Sequence, residues 1–158
     1  MRYMCHFSQT ESERPWSKLG ADIFPFKEHD YLVMVDYFCK YREVAGLTNK
    51  TTKYVNGLLK SIFACHGIPE ILACDNMPFF SQAMSEFAND RGFEITTSSP
   101  RHAQSNGQSE KFVGIVKSFL RKAHEEGRDP YISILQYRNT PVAGAPYSPA
   151  QMLMSRRL

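Results

Sequence analysis

Two strand-like segments separated by a short polar turn most constrain the fold of this chain. Residues 19–26 read LGADIFPF and residues 31–38 read YLVMVDYF. Both are apolar or alternating over the length of one strand, so they are predicted to pair as a hairpin through the turn at 27–30. YREVAGL, at 41–47, is predicted to be a third strand. A sheet that starts this way needs other elements to cover its faces.

Segments with helical periodicity can supply that cover. Apolar residues recur at three- and four-residue steps from Val55 to His66, with Thr51 as a cap and Gly67 at the end. A second helix is predicted to run from a cap at Ser81 to about residue 91. Short buried strands are predicted before and after that second helix, in ILAC and in FEITTS.

The last third of the chain is predicted to be helical after one loop. SPRHAQSNGQSE, at 99–110, is dense in turn-forming residues and is predicted to lead into a helix that starts near Ser105 or Gln108 and lasts until Gly127. Two shorter helices are predicted to open at Asp129 and Ser148, each followed by proline. The order of elements predicts an α/β fold with one five-stranded mixed sheet flanked by helices.

Composition sets wider limits. The chain has 158 residues, 42% of them hydrophobic, which is enough for one domain with a packed core. The net charge of +3 permits contact with a polyanion without establishing it. No apolar run is long enough to cross a bilayer and no secretory signal is evident, so we expect an intracellular protein without membrane contact. Residues 1–13 are expected to form a tail, and the four widely spaced cysteines favour free thiols over a zinc cage or disulfides.

Three carboxylates occupy positions that suit a catalytic or metal-binding role. Asp22 lies inside a predicted strand, Asp75 ends another, and Glu110 lies near the start of a helix, opposite its apolar stripe. A carboxylate withdrawn from water needs a compensating cation, and neither strand carries a nearby lysine or arginine. Oxygen ligands alone favour Mg²⁺ or Mn²⁺, and two such ions held by three acids can catalyse phosphodiester cleavage and transfer.

Each of these residues also has a structural interpretation. A strand-end Asp is often a turn or cap residue, and a Glu near a helix start is often only a partner of the helix dipole. Lys117 and Arg121 return to nearly the same helix edge as Glu110, where they would bind phosphates without reading sequence or would form a solvated face. Asn106 can equally be a turn residue.

The sequence resembles the integrase catalytic core of Ty3/gypsy-type retrotransposons and retroviruses. The resemblance covers residues 14–158 and is carried by RPWSKLGADIF, YLVMVDYFCKYREVAGL, IFACHGIPEILACDN, FANDRGFEITTSSPRHAQSNGQSE, VKSFLRKA and YRNTPVAGAPYSPAQMLMSRRL. It implies a ribonuclease-H-like fold and an Asp-Asp-Glu triad formed by Asp22, Asp75 and Glu110. The implied activity is metal-dependent processing of a DNA 3′ end and its transfer into target DNA.

The resemblance also implies partners and further site residues. The segment around Gln104 and Ser105 would touch DNA, Asn106 would lie beside the site, and Lys117 would contact the end of the element, with Arg121 next to it. Homo-oligomers and a nuclear location are usual in the family, and the later helices, with Tyr137, Tyr147 and Met152, are candidates for the contact between copies. The zinc module before the core and the module after it are not expected in this chain.

Departures from the family pattern leave two further functions open. Where the family usually reads Asp-Asn-Gly-Pro-Gln-Phe, this chain reads DNMPFF, so that Met77 replaces a glycine and Phe79 a glutamine. The spacing from Asp75 to Glu110, 35 positions, is one fewer than the family leads us to expect, and Gly114 lies inside the helix. These changes favour a non-catalytic domain that binds nucleic acid or protein. A simple ribonuclease-H-like nuclease would share the fold and metals but would not need the segment at 99–108.

Overall fold

A computed structural model describes residues 14–75, 77–97 and 103–158, with the side chains of 103–112 outside that description. The strands are β1 (Lys18–Phe26), β2 (His29–Asp36), β3 (Arg42–Leu47), β4 (Ile71–Cys74) and β5 (Glu94–Thr97). The helices are α1 (Thr52–His66), α2 (Gln82–Arg91), α3 (Ala103–Glu126), α4 (Pro130–Arg138) and α5 (Pro149–Met154). The tail predicted at 1–13 lies outside the described residues.

The five strands form one mixed sheet in the order β3-β2-β1-β4-β5. β1 pairs with β2 and β2 with β3 in antiparallel fashion, whereas β1 with β4 and β4 with β5 are parallel. The predicted hairpin, the two later strands and the α/β class are therefore confirmed. Among the described residues, no helix combines the length and apolarity that a membrane span requires.

The two faces of the sheet carry different helices because strand side chains alternate. Leu32 and Met34 of β2 pack with the buried stripe of α1, together with residues of α2 and α5. Val33 and Val35 point to the other face, where Val116 of α3 packs. Every side chain of β1 and β4 can thus be assigned to the α1 face or the α3 face by its position in the strand.

The caps predicted from the sequence are present and satisfy backbone groups at the helix ends. Thr51 and Ser81 accept hydrogen bonds from Tyr54 N (3.4 Å) and Met84 N (3.2 Å) at the starts of α1 and α2. Ser148 forms a capping box with Gln151 at the start of α5. Gly92 ends α2 in the left-handed conformation, at φ +77°.

The predicted start of α3 is wrong by two to five residues. The helix begins at Ala103, before Ser105 and Gln108, so Gln104, Ser105 and Asn106 lie on its first turns and not in a loop. Ser, Asn and Gly are weak helix formers, and their density led the sequence pattern to favour a turn. The rest of the predicted loop, residues 98–102, lies outside the described residues.

Candidate active site

The strand register brings Asp22 and Asp75 together. β1 and β4 are parallel, with Gly20 beside Ala73, so two residues further along Asp22 is level with Asp75, which directly follows β4. Alternation puts Asp22 on the same face as Phe24, and Asp75 on the same face as Ala73, which is the α3 face. Neighbouring strands are about 4.8 Å apart, so the two carboxylates form a pair.

Burial and repulsion both act on Asp22. The residue is half-buried, and loss of water is the largest cause that raises the pKa of its carboxyl above the ordinary 3.8. A hydrogen bond from Ile23 N–H to Oδ1, at 2.8 Å, lowers this pKa, and the charge of Asp75 raises it again. Asp22 is therefore a carboxylate whose ionised form would gain from a nearby cation.

Lys117 supplies part of that positive charge. Its ammonium lowers the pKa of Asp22, and its Nζ lies 5.3 Å from the centre of the Phe24 ring on the same strand. The sequence pattern assigned Lys117 to phosphate contact and found no cation for Asp22, because it considered only residues on the strands. The sequence feature that could have indicated this interaction is the helix edge that Lys117 shares with position 110.

The remaining predicted site residues lie on α3. Position 110 is on the helix seven residues before Lys117, about 10 Å along its axis. Arg121 is exposed one turn beyond Lys117. The side chains of Gln104, Ser105, Asn106 and Glu110 lie outside the described part of the chain, so their predicted roles stay predictions.

The donors of this site fit a divalent metal of the Mg²⁺ class. Asp22 and Asp75 offer hard carboxylate oxygens, and a cation would offset the burial and, secondarily, the repulsion by Asp75 that raise the pKa of Asp22. Burial, together with both acids, raises the pKa of the adjacent Cys74 to about 12, so this thiol stays protonated and is a poor ligand. Among the side chains that the structure describes, no group of three or more His, Cys, Asp or Glu surrounds one point, and Glu110 is not among those side chains.

The raised pKa of Asp22 has a consequence for stability. The contribution of this group is complete below the unfolded value near 3.8 and is lost as the pH rises through the higher folded value. We therefore expect Asp22→Asn, which keeps an acceptor for Ile23 N–H, to raise the free energy of unfolding at pH 7 in chelator-treated buffer. The gain should shrink as the pH falls towards 4, and urea unfolding across this range measures it.

The control for this experiment is Asp90→Asn, which neutralises an exposed acid on α2. It should leave the free energy of unfolding within about 0.5 kcal/mol of the parent protein. A lower stability of Asp22→Asn at pH 7 would show that the ionised carboxylate stabilises the metal-free fold, contrary to the expectation.

The segment after Asp75 is anchored in the core. Phe79 is 1% exposed and belongs to the cluster that α1 and α2 cover, and Pro78 next to it is also buried. Met77 is 65% exposed. Of the two substitutions in DNMPFF, Phe79 is thus a packing residue and Met77 a surface residue.

Comparison with known sequences finds similarity to an uncharacterised nematode protein and to polyproteins of a retrovirus and a transposon. An uncharacterised protein of Caenorhabditis elegans is 32% identical over 135 residues, which are 82% of this chain and 11% of that protein. The Gag-Pol polyprotein of feline leukemia virus is 33% identical over 146 residues, 84% of this chain and 8% of the polyprotein. The Pol polyprotein from transposon gypsy of Drosophila melanogaster is 31% identical over 102 residues, 63% and 10% respectively. No protein-family model matches the chain.

Comparison with solved structures gives the fold. The catalytic core domain of BIV integrase has a TM-score of 0.74 at 16% identity, over 89% of this chain and 95% of that domain. The HTLV-2 integrase catalytic core domain in complex with magnesium, in a dimeric form, has a TM-score of 0.74 at 18% identity, over 92% and 100%. The chain is therefore a homologue of part of the Pol polyproteins of gypsy/Ty3-type retrotransposons and retroviruses, and it has the fold of the integrase catalytic core.

Proposed function

We propose that this domain catalyses metal-dependent processing of DNA 3′ ends and their transfer into target DNA. The observation that carries the proposal is the side-by-side placement of Asp22 and Asp75 on the α3 face, with Lys117 acting on Asp22 from α3. The integrase fold and the magnesium complex of the HTLV-2 core support it. The chain spans only 11%, 8% and 10% of the lengths of the three relatives. Any activity that this domain shares with those longer proteins is therefore proposed for it.

The residues of this chain divide the work by their chemistry. Asp22 and Asp75 would hold the metal through carboxylate oxygens, and Glu110 would complete the triad, as the resemblance implies. Two Mg²⁺ or Mn²⁺ ions, when bound, activate the attacking hydroxyl and stabilise the leaving oxygen of an in-line displacement. Lys117 and Arg121 would bind phosphates along α3 as sequence-independent charges. Gln104, Ser105 and Asn106 on the first turns of α3 would contact the DNA near that bond.

Self-association and a nuclear location belong to the same proposal. The HTLV-2 core is described in dimeric and trimeric forms, and a simian T-cell lymphotropic virus intasome has a TM-score of 0.78 to this chain at 20% identity, over 94% of this chain and 58% of that one. Tyr147, predicted to lie at a contact between copies, is 59% exposed. Tyr137 is instead engaged within the chain, since its hydroxyl donates to Lys40 O at 3.1 Å and its ring stacks on Arg42.

Strand cleavage and joining on a branched DNA substrate tests the catalytic proposal. We expect product with Mn²⁺ or Mg²⁺, none after chelation, and at least a hundredfold less product from Asp75→Asn, because metal activation supplies several kcal/mol and about 1.4 kcal/mol is tenfold. Asp90→Asn, which removes the same charge from an exposed site on α2, should retain full activity. Product is quantified on denaturing gels.

Two outcomes would decide between the candidate functions. Folded protein that gives no product and whose melting temperature does not respond to Mg²⁺ would leave the non-catalytic, nucleic-acid-binding domain as the better description. Product that persists undiminished in Asp75→Asn would exclude this carboxylate from the reaction even if the domain is active.

A further inference from the structure

One edge of α3 runs from the carboxylate pair to the far end of the β1–β2 hairpin. At 100° per residue, positions 117, 121 and 124 lie within about 40° of position 110 around the helix. Lys117, Arg121 and His124 are all exposed. From position 110 to His124 the helix rises about 21 Å. The edge therefore presents two cations and an imidazole in a line that leads away from the site.

A pocket of 390 Å³ lies where this line ends. It is lined by Phe26, Lys27, Glu28, His29, Tyr31 and His124. Phe26 and Tyr31 come from the two strands of the hairpin, Lys27 turns the chain at φ +56°, and His124 comes from α3. The Tyr31 ring also stacks on Phe24, with 5.9 Å between ring centres, so it is held in place.

The chemistry of the lining favours a flat aromatic ring over a free anion. Two aromatic side chains offer apolar walls, and two imidazoles offer hydrogen-bonding groups for the edge of a ring. Glu28 adds a negative charge that disfavours a bare phosphate inside the pocket, whereas Lys27 in its lining and Arg121 on the α3 edge suit the phosphates of a nucleic-acid strand. A nucleotide whose base enters the pocket and whose strand phosphates lie along α3 would place an aromatic ring against the lining and the phosphates near the cations.

The geometry points to this pocket as a binding site for one unstacked nucleobase of the DNA strand that follows α3 away from the carboxylates. This inference rests on the proposed function. A strand with the duplex spacing of 3.4 Å per nucleotide covers the 21 Å in about six nucleotides, and a stretched strand needs fewer. Stacking on aromatic side chains tolerates any base, so the pocket would hold the strand without selecting a sequence.

Photocrosslinking locates the base directly. A branched DNA carries 5-iodo-2′-deoxyuridine at one position at a time, from one to ten nucleotides from the joining point, and the crosslinked peptide is identified by mass spectrometry. We expect a crosslink to the hairpin, at Phe26, His29 or Tyr31, when the label stands within about six nucleotides of that point. The crosslink should disappear in His124→Ala and Phe26→Leu.

Affinity for a fluorescent oligothymidine, measured by anisotropy, is the second readout. Phe26→Leu keeps apolar bulk but removes the ring, and loss of one stacked base should weaken binding by about 5- to 100-fold. Lys27→Ala should weaken it less and reduce its salt dependence. Lys60→Ala, which removes an exposed cation from α1 on the opposite face of the sheet, is the control and should bind as the parent protein does.

The outcomes separate this inference from the proposed function. Crosslinks to α3 with none to the hairpin, in protein that still joins strands, would overturn the pocket and leave the catalytic proposal intact. Unchanged affinity of both His124→Ala and Phe26→Leu would also overturn it. Absence of every crosslink together with absence of joining product would count against both.

Discussion

Replacing Asp36 by alanine is expected to lower the free energy of unfolding by about 3–5 kcal/mol. The carboxylate is fully buried at the end of β2. Its Oδ2 accepts hydrogen bonds from Trp16 N at 3.0 Å and from the Cys39 thiol at 2.7 Å, and its Oδ1 accepts one from Phe38 N at 3.2 Å. Its removal leaves these donors buried without a hydrogen-bond acceptor and creates a cavity. Urea unfolding monitored by circular dichroism measures the loss.

Two further variants serve as comparisons for Asp36→Ala. Cys39→Ala removes one donor but leaves the carboxylate with its backbone partners, and it should cost about 1 kcal/mol. Asp90→Ala, on the surface of α2, should stay within about 0.5 kcal/mol of the parent protein. If Asp36→Ala unfolded at nearly the parental urea concentration, the bend between β2 and β3 would have to be held by its backbone hydrogen bonds alone.

The Asp36 bend matters for the site because it positions Tyr37. A Cβ added at Gly20 would lie 3.3 Å from Cε2 of the Tyr37 ring, a tight contact, so glycine gives the ring room beside β1. Tyr37 then packs with Val113 and Val116 of α3. The helix that carries Glu110 and Lys117 thus packs on the ring of Tyr37, whose backbone N–H donates to Lys18 O at 3.1 Å beside the Asp36 bend. The Asp36 bend and α3 are thus connected through the Tyr37 ring.

The fold could be predicted from the sequence where local and tertiary preferences agree. The hairpin of β1 and β2, the stripe of α1 and the caps at Thr51, Ser81 and Ser148 each combine a periodicity with a residue that has a specific backbone role. The start of α3 escaped prediction because Ser105, Asn106 and Gly107 have weak helix propensity and favour a turn in the sequence pattern, whereas the helix runs through them from Ala103.

The candidate site was predictable in part for a similar reason. The sequence suggested that Asp22 and Asp75 share a metal, and alternation along each strand is readable from it, but the adjacency of β1 and β4 is a property of the sheet order. The action of Lys117 on Asp22, and the meeting of His124 with the hairpin, depend on how α3 lies across β1 and β2. Periodicity shows which side chains share a helix edge, but it does not show which strand residues that edge faces.

Replacing Phe79 by alanine is expected to cost about 3–5 kcal/mol, the range for large-to-small changes of a buried phenylalanine. The ring is 1% exposed within the main core cluster, and it stands four residues after Asp75. Phe80→Ala is a matched control, since Phe80 is the next residue, is 41% exposed, and should lose less than about 1 kcal/mol. Thermal and urea unfolding of the two variants measure the difference.

Phe79→Gln tests whether Phe79 is present because it packs in the core or because the site has lost its function. Glutamine is the residue that the family pattern leads us to expect, and in this core it would bury an amide where a ring now packs, so a cost comparable to that of Phe79→Ala is expected. Met77→Gly changes an exposed position and should have little effect on stability. A Phe79→Gln variant as stable as the parent protein would mean that the core does not need the ring. A destabilised one would mean that the phenylalanine maintains the segment that follows Asp75, so this departure from the family pattern is not by itself a sign of a decaying site.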